Sequence, residues 1–79
     1  MSETLIVKDT VQRTGYTVID GVRVVQHVCV LPIDEPENMR ISMTKLNADL
    51  YKEHRDICRK DFAEFEDACF KLQETYLGD

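Results

Sequence analysis

Two β-forming runs flank a pair of turn residues early in the chain. Tyr16-Thr17-Val18-Ile19 and Val22-Arg23-Val24-Val25 enclose Asp20-Gly21. A two-residue loop of this kind needs positive φ at both positions, which Asp tolerates and Gly accepts freely, so a tight hairpin is expected. Regular pairing would put Ile19, Val22, Thr17 and Val24 on one face, and Val18, Arg23, Tyr16 and Val25 on the other. The second arm runs on through His27-Val28-Cys29-Val30-Leu31 to Pro32, which donates no ladder hydrogen bond. Upstream, Leu5-Ile6-Val7 and Val11 suggest an early start to the first arm or a separate short strand, with Gly15 as a candidate bulge. Pro32 to Asn38 reads as a loop. Met39, Ile41 and Met43 then alternate with Arg40, Ser42 and Thr44, the pattern of a half-buried strand.

From Ala48 to Leu77 the period changes to that of a helix, with no Gly or Pro. Asn47 is a fitting N-cap, Leu46 and Tyr51 suit a hydrophobic staple, and Gly78 suits the C-cap. Cys58, Phe62, Phe65, Cys69, Leu72 and Tyr76 form a seam at spacings of four and three, extended backward through Arg55 and Tyr51. Leu50, Ile57, Ala68, Phe70 and Leu77 lie off it. The expected fold is α+β: one domain over 1–79, with a three- to four-stranded antiparallel sheet in 1–46 and one long helix in 47–78.

Such a helix would be about 45 Å long, against about 27 Å for strands of eight residues. The surplus length would leave apolar side chains uncovered, so a homodimer is expected, by paired helices, a joined sheet or both. Its candidate contacts are Phe62, Phe65, Cys69, Phe70, Leu72 and Tyr76. A chain of 79 residues builds only a thin core alone, which points the same way.

Net charge is -5, and the residues from Asn47 onward carry five basic and nine acidic groups. This balance argues against direct nucleic-acid binding, which needs clustered Lys and Arg. Asp49, Glu53, Asp56, Glu64, Glu66 and Asp67 form an acidic helix face. It could imitate a phosphate backbone, as an inhibitor of phage or mobile-element type would, although Lys52, Arg55, Arg59, Lys60 and Lys71 interleave with it. Three cysteines and a start (Met1-Ser2-Glu3) without leader character predict reduced thiols in the cytoplasm. No apolar run is long enough to span a membrane.

Candidate chemistry is sparse. His27 and Cys29 share a strand face, and His54 and Cys58 share a helix face, so this set could hold zinc in a zinc-stabilised module. The close Cys-x-x-Cys spacing of strong zinc sites is absent, and no metal or other cofactor is favoured. His54 beside Cys58 lacks an oxyanion loop, so an enzyme is not expected. The expected function is that of a small non-enzymatic interaction or accessory protein, acting through protein surfaces such as the Arg40, Ser42, Thr44 sheet face or the Pro32–Asn38 loop.

Overall fold

The computed structural model describes residues 4–78; the Met1-Ser2-Glu3 start lies outside them. Strand β1 (Thr10–Ile19) turns at Asp20-Gly21 into β2 (Val22–Pro32), and a 3-10 turn (Pro36–Asn38) leads to β3 (Arg40–Lys45). The three strands form one antiparallel sheet in the order β1-β2-β3. Helices α1 (Ala48–Glu53) and α2 (Arg55–Leu77) follow. The α+β architecture is therefore the one the sequence indicates.

The hairpin turn has φ of 51° at Asp20 and 79° at Gly21, the two left-handed residues that a twist-matched loop requires. Its pairing departs from the regular ladder. Val18 faces Arg23, yet Thr17 faces Val25, so Val24 is an extra residue on β2. The irregularity thus falls opposite Thr17 and Val18, not at Gly15. The cause lies in burial: Val24 and Val25 are both fully covered, whereas a regular ladder would turn one of them to the open face. The freed Val24 carbonyl accepts from Leu46 N at 2.8 Å and from Asn47 N at 3.2 Å, which fixes the point where β3 passes into α1.

Asn47 caps α1, its side chain accepting from Leu50 N at 3.0 Å, and Gly78 ends α2 with φ 83°. Between these caps the expected single helix is broken. His54 adopts φ -127° and ψ 38°, closing α1 through its amide to Leu50 and Tyr51 and opening α2 by accepting from Cys58 N. The break lets Tyr51 pack with Val24, Val25 and Cys58, while α2 runs over the rest of the sheet.

The expected mismatch of lengths also disappears. Helix α2 has 23 residues, about 35 Å, and β2 has 11, about 37 Å. Gln73 Nε2 donates to the Pro36 carbonyl at 2.7 Å, so only the last helical turn passes beyond the 3-10 turn. The core is small: Val24, Val25, Cys29, Leu31, Tyr51, Cys58 and Cys69 are its buried apolar members, three of them cysteines. Leu5, Ile6 and Val7 belong to no strand, although the Asp9 carbonyl still accepts from Ile33 N at 3.0 Å.

Candidate functional site

Alternation along β1 and β2 turns Gly15, Thr17, Val25, His27, Cys29 and Leu31 toward α2. Two polar side chains on that face are buried, Thr17 and His27. The Thr17 hydroxyl donates to Asp61 Oδ2 on α2 at 2.8 Å and lies 2.9 Å from His27 Nε2. A hydroxyl has one proton, so with that proton on the Asp61 bond, Nε2 carries the hydrogen and donates to Thr17. The relay ties β2 to β1 and β1 to α2. His27 Nδ1 is then a lone pair without a partner, and the ring lies 5.7 Å from Phe62 and 5.6 Å from Phe65, centroid to centroid. Burial lowers the His27 pKa, and the Asp61 carboxylate opposes that shift.

An open cleft of about 370 Å³ adjoins the relay, lined by Gly15, Tyr16, His27, Asp61, Glu64 and Phe65. The relay's roles do not suit nucleophilic attack. His27 gives its proton to Thr17 and cannot also withdraw one from it, and the hydroxyl is sealed from solvent. The thiols are no readier. Burial, reinforced by Asp61, raises the Cys58 pKa. Burial pushes Cys69 to about 12, with hydrogen bonding to Cys29 and that group's charge adding to the effect. Such groups hold their protons at neutral pH.

The four candidate zinc ligands do not converge. His27 is engaged with Thr17, Cys29 meets Cys69 on α2, Cys58 sits in the core around Val24, and His54 lies at the helix break, 4.0 Å from Glu53. Among the described residues, no three His, Cys, Asp or Glu side chains are grouped to hold a metal ion. Local spacing puts each His beside its neighbouring Cys, and the fold gives all four other partners.

The six residues expected to contact a second copy divide in the same way. Cys69 is fully buried by its own chain, and Phe62, Phe65 and Leu72 are half-buried. Phe65 packs so near the backbone of β1 that a Cβ on Gly15 would stand 3.2 Å from its ring. The seam is thus used largely within the chain, because α2 and the sheet are matched in length. Phe70 and Tyr76 remain exposed. Of the acidic face, Asp49, Glu53, Asp56, Glu64 and Asp67 are exposed and Glu66 is half-buried. Lys71 pairs with Asp67 at 3.2 Å, and Lys60 lies in the same stripe, so the face is a mixed one.

Among the described residues, the most exposed large apolar side chains lie outside the expected contacts, on the chain before β1. Leu5, Ile6 and Val7 are 87%, 73% and 66% exposed and run into the outer strand of the sheet. Three consecutive β-forming apolar residues were the available signal. Among the described residues, no helix is long and apolar enough to cross a membrane.

Comparison with known proteins adds no relative: no family model, curated protein or solved structure matches this chain.

Proposed function

We propose that this chain is a small, non-enzymatic protein–protein interaction module that works as a homodimer. The observation carrying the reading is its surplus of surface. A compact monomer of 9.2 kDa exposes about 4900 Å², whereas this chain exposes 5886 Å². The difference, about 1000 Å², is comparable to the roughly 800 Å² that each partner contributes to an ordinary stable interface. Its radius of gyration is 16.2 Å, against about 12 Å for a compact domain of this length. Leu5, Ile6 and Val7 account for part of the excess, and covering each contributes about 1.5–3 kcal/mol.

The non-enzymatic part of the reading is supported by the relay's proton placement and by the burial that raises the pKa of Cys58 and Cys69. A cytoplasmic setting is proposed because all three cysteines are free. Sedimentation equilibrium tests the assembly. Twice the 9.2 kDa of one chain is expected at micromolar concentration. A single-chain mass persisting to several hundred micromolar would overturn the proposal.

A further inference from the structure

The uncovered apolar arm and the free edge of β1 lie on one line of chain, and their residues complement each other when that line is turned on itself. We propose that the dimer, if the reading above holds, forms by pairing the β1 edges of two copies antiparallel about a two-fold axis at Gln12. The Leu5–Val7 arm of each copy then becomes a strand beside the Thr17–Ile19 end of the other, and two three-stranded sheets join into one of six.

The sheet offers two edges, and they differ in protection. The β3 edge is six residues long and begins and ends on a charge, Arg40 and Lys45. Charged, short edges resist pairing. The β1 edge is ten residues long, holds no proline, and carries one charge, Arg13. Upstream of it the chain continues as Leu5-Ile6-Val7-Lys8-Asp9, and the Asp9 carbonyl is still tied to Ile33, so the strand line extends past Thr10.

Register follows from matching this line against its reversed copy. With Gln12 opposite Gln12, Leu5 meets Ile19, Ile6 meets Val18, and Val7 meets Thr17. Both partners in each pair have the same parity and so share a face of the sheet. Ile6 and Val18 fall on the face away from α2, where each is exposed in the single chain. Leu5 and Val7 fall on the helix side, next to Ile19, which already packs on the core. Thr10 meets Thr14, a favourable cross-strand pair, and Asp9 stands one diagonal step from Arg13 of the second copy. No like charges are opposed. The pairing uses the exposed arm and supplies hydrogen-bond partners to an edge with none among the described residues.

Three variants of the full chain test this. Ile6→Asp removes the arm's outward contact at a site open to solvent in one chain, so each chain is expected to stay folded, with its helical circular dichroism signal retained. The dimer dissociation constant is expected to rise at least about 100-fold, because the charge enters the seam twice. Phe70→Asp, an equal insult on the helix, is expected to leave dimerisation unchanged. Gln12→Cys is expected to give a disulfide-linked dimer on mild oxidation, since directly opposed strand residues lie within disulfide reach. The three native thiols are buried and should give no such band. A wild-type dimer with an unaffected Ile6→Asp variant, or with an unlinked Gln12→Cys variant, overturns the β1 seam while leaving the homodimer standing. Dissociation by Phe70→Asp in place of Ile6→Asp overturns it in favour of the helix. A monomeric wild type overturns both.

Discussion

Replacing Thr17 by valine should destabilise this protein far more than the loss of one surface hydroxyl would. Thr17 is almost wholly buried and holds a bond on either side, to His27 at 2.9 Å and to Asp61 at 2.8 Å. Valine keeps the shape and removes both. Asp61 is only half-buried and regains water, so its loss is modest. His27 has no such recourse: its Nδ1 already lacks a partner, and its Nε2–H would join it. An unmet buried donor costs about 1–3 kcal/mol, and the charge-assisted bond to Asp61 adds a fraction of its usual value. We expect a loss of about 2–3 kcal/mol, within a total of about 4–12 kcal/mol for a chain this size. That corresponds to a fall in Tm of roughly 10–20 °C. Urea unfolding followed by circular dichroism, with all variants at one protein concentration, measures it. Thr17→Ser keeps the hydroxyl and sheds one buried methyl, about 1 kcal/mol. A valine variant as stable as the serine variant would refute the relay as a structural tie.

Three further outcomes follow from the same geometry. The His27 pKa is lowered by burial, so the unfolded chain takes up the proton first; stability should hold above the ordinary value of 6.5 and fall as pH drops below it, which unfolding curves at pH 8 and pH 5.5 would register. Cys29, Cys58 and Cys69 are fully buried, and burial pushes the Cys69 thiol up to about 12, so thiol-specific reagents should label the folded chain slowly at pH 7.5 and all three sites rapidly in urea, as mass spectrometry would count. Asn47→Ala removes the cap on α1 and should cost about 1 kcal/mol in the same urea assay.

Local chemistry was legible in the sequence and layered geometry was not. The Asp20-Gly21 turn, the Asn47 cap and the Gly78 terminus each depend on one or two residues and their immediate backbone, and all three appear as expected. The extra residue at Val24 depends on which valines the helix covers, something a single strand's alternation does not contain. The break at His54 has no Gly or Pro to announce it; the one trace was Arg55, a charged residue standing on an otherwise apolar seam. Thr17, His27 and Asp61 come together across separations of 10 and 44 residues, and each looks ordinary in its own segment. The expectation of self-association rested on a helix too long for its sheet. The structure removes that ground, since the strands are longer and the helix shorter than read, and the exposed Leu5–Val7 arm supplies a different one.

The Val24 carbonyl, holding the amides of Leu46 and Asn47, has a consequence for how this fold tolerates change. The direction in which the helical half leaves the sheet is set by main-chain atoms on both sides of the joint. Side chains at the exposed positions 46 and 48 can therefore vary without swinging the helices off their bed. Inserting a single residue there would displace the donors from their acceptor and misalign every later contact, from Tyr51 to Gln73, at once.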